Sequence, residues 1–121
     1  MIFAGLVLVI AAIYFFAVNT DQIEEEKGKM KVAFVYLTNP GDHGWTYAHE
    51  VGRQQVQEHF GDAVETVYVE NVPEGPDATR VIRELAQNGN DMIFTTSFGY
   101  MEPTLKVAKD FPNIKFDHIT G

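Results

Sequence analysis

The sequence predicts an α/β fold with an open parallel sheet in the order β-α-β-α-β-α-β, preceded by an apolar N-terminal helix. The first observation is an alternation: short apolar runs bounded by turn residues are followed by longer segments with apolar residues at helical spacing. The second is an ordinary globular composition, with 45% hydrophobic and 21% charged side chains in 121 residues. Such alternating units form parallel sheets with helices on both faces.

The N-terminal residues differ from the rest of the chain. Residues 1–20 carry no charged side chain, and the apolar run at 2–18 would span about 26 Å as a helix, slightly less than the hydrocarbon core of a bilayer. We interpret 1–20 as a signal peptide or a membrane anchor, and both alternatives stay open because no Lys or Arg precedes the apolar run. Residues 21–30 form an acidic linker, and 31–121 form the globular part.

The first predicted strand, at 31–37, is a continuous apolar run and is expected to lie buried on both faces of the sheet. Turn residues at 38–42 end it, and a helix is predicted over 45–60, with Gly61 at its end. The apolar stripe of this helix is expected to comprise Ala48, Val51, Gly52, Val56 and Phe60.

The second predicted strand covers 64–70 and is rich in Val and Tyr. The next helix opens at Pro76, a residue tolerated in a first turn. It has the clearest apolar face in the chain, formed by Ala78, Val81, Ile82, Leu85 and Ala86. A third strand at 92–96, a third helix at 100–110 and a fourth strand at 114–119 complete the predicted fold.

Ligands of open α/β sheets bind beyond the carboxyl ends of the strands, where the strand order reverses. With the strand order 2-1-3-4, the first and third strands are neighbours, and the loops at 38–45 and 97–100 face one crevice. In the first loop, Asp42 is either a helix cap or a ligand acceptor. Trp45 either packs in the core or offers a flat ring and an N–H donor to a planar ligand.

The second loop adds two more rings, Phe98 and Tyr100, on either side of Gly99, which would let the backbone approach a ligand closely. Three rings and a carboxylate around one crevice suit a neutral, planar molecule with polar edges. The first loop lacks the lysine and the glycine spacing of phosphate-binding and dinucleotide-binding motifs.

Other functions find little support in the sequence. The net charge of −8 disfavours binding to nucleic acid, and the absence of cysteine excludes disulfides and thiolate sites. The four histidines are not at metal-ligand spacing, and Ser97 is the best-placed nucleophile beside Asp42 and His43. We therefore expect no enzyme, no cofactor and no metal ion.

The pattern G-D-H-G-W-T-Y at 41–47, with the stretches at 31–35, 78–86, 91–100 and 111–116, resembles the basic membrane protein family. These are substrate-binding proteins of ABC transporters, similar to purine nucleoside receptors. The resemblance implies a type I periplasmic-binding-protein fold with two α/β lobes and a cleft between them. Together with the two loops, it leads us to expect a ligand-binding site that comprises Asp42, His43, Trp45, Thr46, Phe98, Gly99 and Tyr100.

In this family an aromatic ring after the first strand stacks on the base, and by position that role falls to Trp45. Thr46 stands where an Asn is common. Pro103 takes the position of an aspartate near the ribose, which favours a free base such as adenine over a nucleoside.

The resemblance implies an extracytoplasmic solute-binding component that binds a purine base or nucleoside and works with an ABC permease. A membrane-anchored sensor or regulator that uses the same lobe without transport is the alternative, favoured by the absence of a lipobox cysteine. The fourth predicted strand ends near the last residue. We therefore expect 31–121 to be an incomplete N-terminal lobe, with the C-terminal lobe beyond it.

Overall fold

The computed structural model describes residues 7–17 and 28–120. The strands are β1 (Met30–Val35), β2 (Val64–Val69), β3 (Met92–Thr95) and β4 (Lys115–His118). The helices that connect them are α1 (Trp45–Phe60), α2 (Pro76–Gln87) and α3 (Met101–Ala108). Short 3-10 turns lie at Pro40–Asp42, Gly61–Ala63 and Phe98–Tyr100. The predicted alternation of strands and helices is confirmed.

The four strands form one parallel sheet, as predicted, and their order, β2-β1-β3-β4, is the one on which the expected crevice depends. Val35, the last residue of β1, pairs with Val69 of β2 and Thr95 of β3, and Thr95 pairs with His118 of β4. The carboxyl ends of the strands are therefore level, and the loops that follow them share one edge of the sheet. We call this the carboxyl edge.

Helices α2 and α3 cover one face of the sheet through an apolar core. The five residues predicted for the apolar face of α2 are all buried. Ala33, Val35 and Ile93 of the sheet, Val107 of α3 and the ring of Tyr100 complete this cluster. Apolar burial, at about 25 cal/mol per Å², is the main stabilising contribution on this side.

The prediction that α1 packs against the sheet through an apolar stripe is largely wrong. Ala48 is exposed and Phe60 is 53% exposed, whereas the buried residues of this helix are Thr46 and Glu50. Of the predicted stripe, Val56 packs against the smaller apolar cluster on this side of the sheet. Helix α1 therefore turns a largely polar side toward the sheet.

The reason is a polar network beneath α1. Tyr36, which follows β1, is fully buried, and its hydroxyl donates a hydrogen bond of 3.0 Å to Glu50. Arg53 donates two hydrogen bonds to the same carboxylate, at 2.8 and 2.6 Å, and a third, at 2.7 Å, to the hydroxyl of Thr66 on β2. Burial and the neighbouring Glu50 carboxylate raise the pKa of Tyr36 above its ordinary value. Each polar group thus has a partner, which offsets the cost of taking it out of water.

At the N-terminus, residues 7–17 are helical and their large apolar side chains are exposed. The remainder of the predicted signal or anchor at 1–20, and residues 21–27 of the predicted linker, lie outside the described residues. Among the described residues, no helix combines the length and the hydropathy needed to cross a bilayer.

We predict that Arg53→Met lowers the free energy of unfolding by about 2–3 kcal/mol, because it leaves the Glu50 carboxylate without its cationic partner. Urea denaturation followed by far-UV circular dichroism measures this loss. Gln55→Met, on the exposed side of the same helix, is the matched control and should be nearly neutral. Equal stability of both variants would contradict the polar packing of α1.

Candidate ligand-binding site

Trp45 joins the two loops that the sequence places at one crevice. Its indole N–H donates a hydrogen bond of 2.5 Å to the backbone carbonyl of Thr96, which follows β3. Because β1 and β3 are adjacent, this bond spans the point where the strand order reverses. The loop after β1 and the turn after β3 therefore meet at the carboxyl edge.

The indole of Trp45 is 51% exposed, so it does not lie in the core. The ring of His49, one helical turn further on, contacts it edge to face with 4.6 Å between ring centroids. Burial lowers the pKa of His49, which favours the neutral imidazole at this position. The indole N–H, expected to donate to a ligand, donates to the protein backbone instead. The exposed part of the ring is what Trp45 can still offer to a ligand.

Asp42 caps helix α1 from three residues before Trp45, where the helix begins. Its carboxylate accepts hydrogen bonds from the amides of Gly44 (2.8 Å) and Tyr47 (3.1 Å) and from the hydroxyl of Thr38 (2.7 Å). These donors, the Gly44 amide first, lower the pKa of Asp42 below its ordinary value. Asp42 is also exposed, so its cap role leaves it at the surface of the carboxyl edge.

Thr46 is buried, which corrects the expectation that it faces a ligand. Its hydroxyl lies 2.6 Å from that of Thr38. Thr38 has one hydroxyl proton and donates it to Asp42, so Thr46 is the donor in the pair of threonines. The two hydrogen bonds, from Thr46 to Thr38 and from Thr38 to Asp42, fix the loop to the start of α1.

His43 adopts a left-handed backbone conformation with φ of 53°, between the 3-10 turn and α1. Its exposed ring lies against that of Tyr47, with 5.4 Å between centroids. His43 therefore adds a further exposed ring to the loop after β1.

The two rings of the second loop have different surroundings. Phe98 is 69% exposed at the carboxyl edge. Tyr100 is 0% exposed, and its hydroxyl donates to the backbone carbonyl of Val72. The expectation that Tyr100 lines the crevice is therefore wrong, because the 3-10 turn directs this ring into the core beneath α2 and α3.

Gly99 does provide a close approach, but to a group of the chain itself. The carboxylate of Glu74, in the loop between β2 and α2, occupies the space that a Cβ at Gly99 would need. It accepts hydrogen bonds from the Gly99 amide (3.0 Å) and from the Ser97 hydroxyl. Ser97, the candidate nucleophile, thus donates to Glu74.

Sequence reasoning missed Glu74 altogether. A lone glutamate before Gly75 and Pro76 carries no motif. The signal was topological: β2 is parallel to its neighbours, so its loop also reaches the carboxyl edge.

Comparison with known proteins identifies the family. Residues 29–121 match the Bmp family, described as an ABC transporter substrate-binding protein, PnrA-like. The chain belongs to this family, and the resemblance seen in its sequence is confirmed.

Two curated relatives carry different ligand names. The chain is 53% identical over 114 residues to a purine-binding protein of Brucella abortus (strain 2308), covering 94% of this chain and 32% of the relative. It is 44% identical over 92 residues to a Haloferax volcanii protein named as an ABC transporter glucose-binding protein, covering 76% of this chain and 23% of the relative. The chain thus spans a third or less of each relative.

Solved structures share the fold. A solute-binding protein of an ABC transporter system from Conexibacter woesei matches with a TM-score of 0.63 and 24% identity, covering 72% of this chain and 28% of that one. Another, from Aeropyrum pernix, matches with a TM-score of 0.64 and 23% identity, covering 74% and 24%. A transcriptional activator of the comK gene from Bacillus halodurans has a TM-score of 0.59 and 22% identity, covering 76% and 31%. The fold is therefore common to proteins with different roles.

We predict that Asp42→Asn lowers the stability of the protein near neutral pH, because the charged cap of α1 is lost. The folded pKa of Asp42 lies below 3.8, so its stabilising contribution is complete above that pH and is lost as the pH falls through the folded pKa. Urea denaturation at several pH values should show a gap between wild type and variant that closes in acid. A gap that stays constant with pH would contradict the cap.

We predict that Trp45→Phe lowers the free energy of unfolding by about 1 kcal/mol, because the Thr96 carbonyl loses its donor. Thermal and urea denaturation followed by circular dichroism measure the change. Tyr47→Phe, at a 45% exposed ring on the same helix, serves as the control and should have a smaller effect. A neutral Trp45→Phe variant would show that the indole bond does not hold the two loops together.

Proposed function

We propose that this chain supplies the first lobe of an extracytoplasmic ABC transporter substrate-binding protein, in which Trp45 stacks on a purine. The observation that carries the proposal is the state of the indole: half exposed, at the carboxyl edge, and tied to Thr96. A ring fixed in this way loses little conformational freedom when a ligand binds. Stacking of a base on an aromatic side chain contributes about 1–3 kcal/mol.

Two further groups on the same two loops extend this surface. Phe98, on the second loop, is exposed and offers another ring to an apolar face of a ligand. Asp42 accepts hydrogen bonds from three donors of its own loop and of the first turn of α1, and the carboxylate oxygen that Thr38 contacts accepts one of them. A carboxylate oxygen accepts up to two hydrogen bonds, so an exocyclic amine of a base fits this position.

The relatives favour a purine over a sugar. The relative named as purine-binding is more similar to this chain than the one named for glucose, at 53% against 44% identity. Pro103, which stands at the position of the family's ribose aspartate, is buried in the first turn of α3. It brings no carboxylate to a ribose, and this favours a free base such as adenine.

The remaining parts of the function are proposals about the whole protein. A second lobe closes the cleft over the ligand, because one wall alone buries only one face of a base. The closed form delivers the ligand to an ABC permease at the outer face of the membrane. The N-terminal segment 1–20 serves as a signal peptide or an anchor.

We predict that the full protein that carries this chain binds adenine, and that Trp45→Ala weakens the binding about tenfold or more. Isothermal titration calorimetry with adenine, adenosine, guanosine and glucose gives the order of affinities. Trp45→Phe keeps a ring and should lose less. Phe60→Ala, at an exposed ring at the far end of α1, should leave the affinity unchanged.

Two results would contradict this function. One is an adenine affinity that does not change in Trp45→Ala. The other is tighter binding of glucose than of any purine. A circular dichroism melt of each variant separates loss of the site from loss of the fold.

A further inference from the structure

Glu74 lies at the proposed site and nothing in the motif accounts for it. One carboxylate oxygen, Oε1, accepts hydrogen bonds from both the Ser97 hydroxyl and the Gly99 amide. The side chain is exposed, and its two donors are the sequence neighbours of Phe98, whose side chain is also exposed. Glu74 is therefore a carboxylate fixed against the turn that carries Phe98.

The position that Glu74 fills has the chemistry of a receptor for an anion. A hydroxyl and an amide converge on one oxygen, as they would on the carboxylate or phosphate of a ligand. Gly99 has no side chain, and the carboxylate occupies the room that a Cβ would take. The chain thus fills this position with its own acid.

The charges at the carboxyl edge have one sign. The loop segments 36–44, 70–75 and 96–100 contain Asp42, Glu70 and Glu74, and their sequences contain no Lys or Arg. The hydrogen-bond partners of these carboxylates are neutral: hydroxyls, backbone amides and, for Glu70, the side-chain amide of Asn39. An anionic ligand at these three loops would therefore meet a negative field from this lobe.

We infer that Glu74 determines the charge specificity of the site: it excludes ligands that carry a phosphate or carboxylate and accepts hydrogen bonds from uncharged ones. The inference rests on the proposed function, since it names the class of purine that the site admits. Uncharged bases and nucleosides bind, and nucleotides do not.

Adenosine and adenosine 5′-monophosphate are the probes, because they differ only by the phosphate. Glu74→Gln keeps the shape of the side chain and an acceptor for Ser97 and Gly99, and removes the charge. Glu74→Ala removes both. Glu58→Gln, at an exposed acid of α1, is the control for net charge alone.

In the full protein, calorimetry should show that wild type and Glu58→Gln prefer adenosine by at least about a hundredfold. In Glu74→Gln this preference should fall by about tenfold or more, as the nucleotide gains and the nucleoside loses affinity. If the role of Glu74 were purely structural, its substitution would weaken the binding of both probes equally. An unchanged ratio in Glu74→Gln overturns the inference.

A second measurement does not depend on purines. Acetate, against chloride at equal ionic strength, should raise the melting temperature of Glu74→Ala by several degrees and leave wild type unchanged. The gain should vanish in Glu74→Ala/Ser97→Ala, which lacks one of the two donors. Absence of the acetate effect in Glu74→Ala also overturns the inference. If acetate stabilises Glu74→Ala but no purine binds wild type, the proposed function fails while the exclusion of anions by Glu74 stands.

Discussion

The hydrogen bond from the indole of Trp45 to the carbonyl of Thr96 is the constraint on which the candidate site depends. The loop after β1 is otherwise shaped by bonds within itself and to its neighbours, among them the Asp42 cap and the contact of Asn39 with Glu70. The indole bond alone, among these, reaches the end of β3. It makes two loops into one surface and sets the direction of the ring that the surface presents.

The two faces of the sheet are held by different forces, and this difference bears on the site. Helices α2 and α3 pack through apolar area, which gives stability without direction. Helix α1, whose first residue is Trp45, packs through the directional bonds of Tyr36, Glu50 and Arg53. A satisfied polar network specifies one arrangement of the groups that form it. The helix that carries the ring is therefore fixed in rotation as well as in position.

Sequence patterns predict the elements of this structure that pack through apolar residues, and they miss those that depend on polar contacts. The succession of strands and helices and the buried face of α2 follow from apolar periodicity, because those residues are chosen for burial alone. The face of α1 does not, because Glu50 becomes buried only where Tyr36 and Arg53 supply its partners, and no period reveals such a set. Tyr100 and Phe98 are two residues apart, yet the 3-10 turn sends one ring inward and leaves the other exposed. Glu74 was not predicted as a site residue, because its role arises from a contact with Gly99, which lies 25 residues further along the chain.

Nuclear magnetic resonance of the Trp45 indole N–H tests most directly whether this residue presents a fixed ring to the ligand. In the full protein, the signal is identified by its loss in Trp45→Phe. We expect slow solvent exchange of this proton with and without adenine, because Thr96 holds it, together with a clear chemical-shift change from the ring current of the stacked base. A shift that does not move at saturating adenine, or a proton that exchanges freely in the unliganded protein, would contradict the account.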